Sequence, residues 1–329
     1  MEKKPLVSIL IIFLNEEKFI QEAIDSVFAQ TYDTWELLLV DDGSTDKSTQ
    51  IARCYENQYP NKVRYLEHQG HQNRGMSASR NLGFRHARGD YTAYLDGDDI
   101  WVPQKLEEQV AILAANPEAV MVCGPLLEWY SWSENAMYLF GDHLYGVGEN
   151  GRHPYADTIV QPPKLLALFL RQEDFIPGGA LIERWVLEQV GGSEEIFRGS
   201  YEDAVVHVKI CLSYPVYVSS QCWYKYRIHP NSWERNVIRV GQMRANRLFY
   251  LNWVKTYLSE QGVQDSEIWQ VYRYARQHCQ HLWFYQMRDR RYVISKIEGL
   301  FVQVGRRILP NFLRDWLWQL WERYRPTSI

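Results

Sequence analysis

Hydrophobic positions change period repeatedly along the first third of the chain. Leu6 to Phe13 is an unbroken apolar run, the pattern of a strand buried on both faces. Glu17 to Ala29 then places Phe19, Ile20, Ala23, Ile24, Val27 and Phe28 at helical spacing. Trp35 to Val40 reads as a second strand, Asp46 to Tyr55 as a helix capped by Ser44 or Asp46, and Val63 to Leu66 as a short third strand. Met76 to Ala87 is helical in pattern and stops at Gly89-Asp90. Tyr91 to Leu95 is a fourth strand, Pro103 opens another helix, and Ala119 to Cys123 is a fifth strand. Strands separated by helices require crossover connections, so the pattern predicts an α/β fold with a mainly parallel central sheet flanked by helices. Ligands of such sheets bind beyond the carboxyl ends of the strands. Two acidic clusters, Asp41-Asp42 and Asp96-Gly97-Asp98-Asp99, fall there.

The stretch 124–235 is less regular, with Gly- and Pro-rich turns and an apolar-acidic segment from Tyr201 to Leu212. From Val237 onward glycine becomes sparse and helical periodicity dominates. The expected division is a first domain over 1–235 and a helical C-terminal region over 236–329, in keeping with a chain of 329 residues. A net charge of -4 without a basic footprint argues against a nucleic-acid partner. The five cysteines are scattered and form no C-x-x-C pair, which argues against a zinc site or disulfide framework and for a reducing compartment. Lys3 and Lys4 before the apolar run Leu6 to Leu14 imitate a signal peptide, but Asn15-Glu16-Glu17-Lys18 follow in place of a small-residue cleavage site. No apolar stretch approaches the ~18 residues of a membrane span. A cytoplasmic protein is expected.

Four constellations carry candidate chemistry. In Asp96-Gly97-Asp98-Asp99, carboxylates two residues apart at a strand-to-turn junction can face one hard divalent cation, Mg²⁺ or Mn²⁺, with Gly97 leaving room for a diphosphate. The alternative is a plain Asp/Gly surface turn. In Asp41-Asp42-Gly43-Ser44-Thr45-Asp46, a strand-end carboxylate can accept from a nucleotide base or ribose. Turn and cap chemistry explains Asp46 equally well, and fits the adjacent Asp41 and Asp42 less well because they repel. Arg74 to Asn81 opens a helix, and helix N-termini and Arg80 both favour phosphate oxygens; the alternative pairs Arg80 with an acid. Glu202-Asp203 begins a helix-like run, where a carboxylate can act as general base or simply complement the helix dipole.

Together these segments resemble family 2 glycosyltransferases of the GT-A fold. Val7 to Glu16 is similar to that family's first strand and nucleotide loop. Ser26 to Thr31 with Glu36 to Asp46 is similar to its second strand and acidic turn, and Ser79 to Gly83 with Gly89 to Asp99 to its helix and metal motif. Val190-Gly191-Gly192 followed by Glu202-Asp203 resembles its acceptor region and acid pair, and Tyr226 to His229 the motif that closes its catalytic domain. Ser193-Glu194 departs from the aromatic-acidic pair often found after the double glycine.

The resemblance implies an inverting, metal-dependent sugar transfer from a nucleotide diphosphate-sugar, UDP-linked by family habit, to a carbohydrate or lipid-linked acceptor in polysaccharide or glycolipid synthesis. By the same resemblance Asp41 contacts the base with Asp42 nearby, and Phe13, Asn15, Glu16, Arg80, Asp96 and Gly97 complete the nucleotide site. Asp98 ligates the metal and Asp203 is the base. Glu202, Gly178-Gly179 and His229 belong to the acceptor side or to a supporting shell. The rivals are a nucleotidyltransferase, which would carry a Gly-rich basic loop after the first strand, and a non-catalytic sugar-nucleotide-binding or scaffold protein of the same fold, which would carry a broken motif.

The tail adds one more expectation. Arg288 to Arg325 holds nine basic and four acidic residues, a local balance of +5. Trp316, Leu317, Leu320 and Trp321 recur at near-helical spacing after Pro310. That pattern suits peripheral contact with an anionic membrane face. It suits packing on the catalytic domain as well.

Overall fold

A computed structural model describes residues 4–133, 141–147, 153–171 and 178–280. The tail that carries the membrane expectation lies outside the described residues. The chain runs β1 (Val7–Phe13), α1 (Ile20–Phe28), β2 (Trp35–Asp41), α2 (Ser48–Gln58), β3 (Val63–Glu67), α3 (Met76–His86) and β4 (Tyr91–Asp96). It continues through β5 (Ile100–Trp101), α4 (Lys105–Ala115), β6 (Met121–Gly124), β7 (Leu126–Trp129), β8 (His143–Tyr145), β9 (Thr158–Val160), α5 (Lys164–Arg171) and β10 (Gly178–Glu183). The last described elements are α6 (Arg184–Gln189), α7 (Glu202–Ser213), β11 (Val216–Val218), β12 (Tyr224–Arg227), α8 (Trp233–Arg239), α9 (Met243–Glu260) and α10 (Ser266–Gln280).

The main sheet has the order β3-β2-β1-β4-β10-β6-β11-β9. Its first half is parallel, as the alternating pattern predicts, because each strand from β1 to β4 is followed by a helix or returns through one. Beyond β4 the sheet is mixed: β10 runs antiparallel to both neighbours, and β11 is parallel to β6 but antiparallel to β9. β1 and β2 are buried at every position, which accounts for their unbroken apolar runs. A smaller sheet, β5-β12-β7-β8, stands beside the main one and was not legible as strands.

Several boundaries moved for local reasons. The helix expected from Asp46 starts at Ser48, because the Asp46 carboxylate accepts the Ser48 N–H at 2.9 Å instead of joining the helix. The helix expected at Pro103 starts at Lys105, and the Pro103 carbonyl accepts the Thr31 N–H. Gly178 and Gly179 open strand β10.

The core is continuous across the sheet's second half and the C-terminal helices. Tyr250, Leu251 and Val254 of α9 and Val271 and Ala275 of α10 share one buried cluster with Met121 of β6, Leu166 of α5 and Val205 of α7. The helical character expected beyond Val237 holds through Gln280. Among the described residues no helix is long and apolar enough to cross a membrane. All five cysteines are free, with Cys54 the exposed one.

Candidate active site

The carboxyl ends of β1, β2 and β4 open into a cleft of about 1170 Å³. Its floor is the Asp96–Asp99 turn, where each carboxylate has a different partner. Asp96 accepts from Arg80 Nη2 at 3.1 Å. Asp98 Oδ2 lies 3.0 Å from His229 Nε2. Asp99 is fully buried and accepts from the Tyr224 hydroxyl and the Arg227 backbone N–H, both at 2.7 Å. Asp99 therefore fastens the turn to β12 and does not face the cleft. Gly97 is required by close approach, since a Cβ there would stand 2.8 Å from the Phe13 Cβ.

Glu16, from the loop after β1, comes to the same point. Its carboxylate, one Asp98 oxygen and one His229 nitrogen lie within 4.8 Å of one another. Burial, reinforced by Asp98, Asp46 and Asp96, pushes Glu16 up to about 8. Burial also lifts Asp96 to about 6, with Asp98 and Asp203 adding to the shift and Arg80 opposing it. Two carboxylates and an imidazole with this excess of negative charge form a donor set suited to a divalent cation. The sequence reading supplied Asp98 as the metal ligand but put Glu16 on the nucleotide and His229 on the acceptor side. The chain separation of 213 residues between Glu16 and His229 hides the cluster until the fold brings them together. His229 is held by the ring of Phe19 at 4.8 Å. Arg227, buried among Phe19, Trp129 and Trp132, donates to the Asp98 carbonyl and to Glu22, and so fixes the turn from the other side. In the sequence Arg227 stands only as one position of the segment Tyr226 to His229, with nothing local to mark this role.

On the nucleotide side, three of the expected residues have partners within the protein. Asp41 is fully buried, does not line the cleft, and accepts from the Gly43 and Ser44 N–H groups and from the Thr49 and Tyr65 hydroxyls. Four donors remove the repulsion with Asp42 that spoke against a turn role. Asp42 does line the cleft, but its carboxylate accepts from the Arg74 and Gly75 N–H groups and the Ser79 hydroxyl. Asp42 thus anchors the loop residues just before α3, the helix expected to receive phosphate, without capping the helix itself. Asn15, in the left-handed region at φ 60°, accepts from the Thr45 N–H at 2.7 Å and receives no place along the cleft. It ties the first loop to the second.

Arg80 is buried and bridges two acids, Asp96 and Glu202, the latter with a hydrogen bond of 3.0 Å. Burial alone would lower its pKa, but Glu202, Asp96 and Asp203 more than offset this, so the guanidinium stays charged. The pairing alternative for Arg80 is therefore what the fold adopts. Burial raises the Glu202 pKa, against Arg80. Asp203 is more exposed, lines the cleft, and has one oxygen on the Ala204 N–H at 2.7 Å. Helix α7 begins just after Tyr201, whose φ of 66° is a strained value for a tyrosine and is held by stacking on Tyr250 at 4.6 Å. Asn81 and Lys209 grip the loop 192–195: Asn81 donates to the Ser193 carbonyl and accepts its N–H, and Lys209 binds the Gly192 carbonyl and Glu194. Ser193-Glu194, the departure noted in the sequence, serves that attachment. Gly178 and Gly179 line the cleft from β10, and half-exposed Trp233 of α8 stands at its rim.

A parallel nucleotide-binding half-sheet with an acidic turn at its carboxyl edge defines the GT-A class of glycosyltransferases. The solved structures agree on the fold. Mannosyltransferase PcManGT from Pyrobaculum calidifontis, in complex with GDP-Man and Mn²⁺, matches with a TM-score of 0.56 at 18% identity over 98% of this chain and 83% of that one. Staphylococcus aureus TarS 1-349, in complex with UDP, matches with a TM-score of 0.52 at 16% identity over 96% and 86%. Residues 8–181, just over half of the chain, match the sequence model of glycosyl transferase family 2, and the chain belongs to that family. Putative glycosyltransferase EpsE of Bacillus subtilis is 40% identical over 113 residues, 34% of this chain and 40% of that protein. Putative teichuronic acid biosynthesis glycosyltransferase TuaG of the same organism is 38% identical over 111 residues, 33% of this chain and 42% of that protein. The chain matches less than half the length of either relative.

Proposed function

We propose that this glycosyltransferase moves a sugar from a nucleotide diphosphate-sugar to an acceptor hydroxyl with inversion, and that the transfer depends on Mn²⁺ or Mg²⁺ held by Asp98, His229 and Glu16. The observation that carries the reading is the convergence of those three donors at the edge of the cleft that Asp203 also lines. A cation bound there supplies charge neutralisation for the leaving diphosphate.

The protein's own residues do the rest. Asp203, at the start of α7, takes the proton of the acceptor hydroxyl as the new bond to the anomeric carbon forms and the bond from that carbon to the diphosphate oxygen breaks. Glu202 is engaged by Arg80, which leaves Asp203 as the base. Arg80 holds Asp96 and Glu202 in place and so sets the distance between the acidic turn and the start of α7. Phe13, Glu16 and Asp42 line the nucleoside side of the cleft. Asn15 and Asp41 position that wall without touching the ligand. UDP is the assigned nucleotide by family habit, and the acceptor is a carbohydrate or lipid-linked alcohol. TarS bound to UDP and PcManGT bound to GDP-Man and Mn²⁺ support a nucleotide-sugar donor and a metal for this fold.

Titration of UDP and of GDP into the full chain by calorimetry, with Mn²⁺ and then with EDTA, tests the assignment. One nucleotide is expected to bind in Mn²⁺ and to weaken by about tenfold or more in chelator, the loss of a strong charge-assisted contact. Equal binding with and without metal would remove Asp98, His229 and Glu16 from the metal role.

A further inference from the structure

Three buried polar atoms that line the cleft lack a hydrogen-bond partner among the described residues: His207 Nδ1, Arg247 Nη1 and the Tyr250 hydroxyl. None of them belongs to the metal or nucleotide side. His207 stands one turn after Asp203 on α7, and Arg247 and Tyr250 are one turn apart on α9, which packs on α7. The Tyr250 ring stacks on Tyr201, two residues before Asp203. The three groups therefore surround the start of α7, on the side of the cleft where an acceptor hydroxyl must reach Asp203.

Arg247 is only 5% exposed, and among the described residues no carboxylate lies within salt-bridge distance of it. Burying a guanidinium without a counter-ion costs heavily, and a guanidinium does not escape by losing its proton. Glu202 and Asp96 are committed to Arg80 and Asp98 to His229, while Asp203, the remaining acid of this corner, lies outside salt-bridge distance of Arg247 and has one oxygen on the Ala204 N–H. Among the described residues no group neutralises Arg247, which leaves its guanidinium available to an anion that enters the cleft. Tyr250 offers an O–H and His207 a ring nitrogen, so the group received can accept from more than one direction. Arg239 of α8 also lines the cleft, and its recorded hydrogen bond is to Asn236 and not to an acid.

We propose that this corner is an acceptor subsite for a phosphate group, with Arg247 as its anchor. The proposal rests on the assignment of Asp203 as the base, which makes this the acceptor side. It narrows the acceptor to a phosphate-bearing alcohol, whose phosphate sits on the α9 guanidinium while a hydroxyl of the same molecule faces Asp203. The C-terminal helices thereby contribute acceptor specificity and not only packing.

Inorganic phosphate titrated into the full chain by calorimetry, with and without saturating nucleotide and Mn²⁺, tests it. Phosphate is expected to bind in both states. Arg247→Gln should weaken it about tenfold or more, the effect of losing a charge-assisted pair, while nucleotide affinity changes by less than about twofold. Arg247→Lys should fall between the two. Removing an unpaired buried charge should also leave the melting temperature of Arg247→Gln unchanged or higher, whereas a hidden structural ion pair would lower it. Phosphate binding that nucleotide abolishes would assign Arg247 to the donor diphosphate and overturn the proposal. So would phosphate binding indifferent to Arg247→Gln, or acetate binding as well as phosphate. If no nucleotide binds at all, the donor assignment fails, while phosphate binding to the nucleotide-free chain still reports on this subsite.

Discussion

One guanidinium holds the centre of the cleft. Arg80 neutralises the buried Glu202 and the part-buried Asp96, so its removal leaves the two carboxylates facing each other without a cation. Arg80→Met is expected to destabilise the fold by about 3–5 kcal/mol, measured as a lowered denaturation midpoint at unchanged slope. Lysine should restore little, because a point charge cannot serve both acids. Asp203→Asn should behave oppositely: turnover falls by about a hundredfold or more while stability and nucleotide affinity stay near wild type. Equal losses of binding and turnover would make Asp203 a donor ligand. At this scale the sequence was legible where a residue's role follows from its local turn. Asp98 and Asp203 reach the cleft as read. Glu16, His229, Arg247 and Tyr250 were not legible as a site, because their roles come from partners far away in the chain. The loop-holding bonds of Asp41 and Asp42 were not legible either, since carboxylates that hold a loop together leave the same local pattern as carboxylates that hold a ligand.

The elements nearest the site are stitched to β1 through tight backbone approaches. Asp90 accepts the Leu6 N–H, and the Gly89 N–H donates to the Ser8 hydroxyl, which itself donates to Glu36 at 2.6 Å. A Cβ on Gly89 would stand 2.6 Å from the Ser8 backbone nitrogen and 2.7 Å from the Leu6 carbonyl oxygen. Neither atom can yield without shifting β1, so Gly89→Ala should cost about 1–3 kcal/mol and move the acidic turn at the far end of β4. Thermal unfolding would check the cost, and a variant as stable as wild type would show that β4 tolerates a slip. Strands β1 to β4 and helices α1 to α4 were legible because their period is clean: β1 and β2 are buried at every position, and β3 alternates as a half-buried strand does. β5, β7, β8 and β12 were not, because they span only two to four residues each and no period is established over so short a run.

Over the whole molecule, buried histidines set an acid limit. Burial drives His153 down to about 4, and burial also lowers His68 and His207. Each is depressed below its unfolded value, so the folded state prefers the neutral ring. Their contribution is complete above about pH 6.5 and declines as the pH falls through that value towards the folded pKa values. The raised carboxylates Glu16 and Asp96 act in the opposite sense over the same range, so the histidine effect is read by difference: between about pH 7 and pH 5 the melting temperature of His153→Gln is expected to fall less, or rise more, than that of wild type, and an unchanged slope in the variant would remove His153 as a cause. The α/β architecture was legible at this scale, whereas the return of α9 and α10 onto β6, α5 and α7 was not. Helical periodicity marks a buried stripe without saying what covers it.

The central claim is a metal-dependent transfer from a nucleotide-sugar in the Asp98–Asp203 cleft. Release of nucleoside diphosphate from a panel of UDP-, GDP- and dTDP-sugars by the full chain, in Mn²⁺ against EDTA and beside Asp98→Ala, tests it most directly. The account predicts release from one donor class in Mn²⁺, with chelator and Asp98→Ala each reducing it by about a hundredfold or more in a folded protein. Full release in EDTA, or an Asp98→Ala variant as active as wild type, would contradict it.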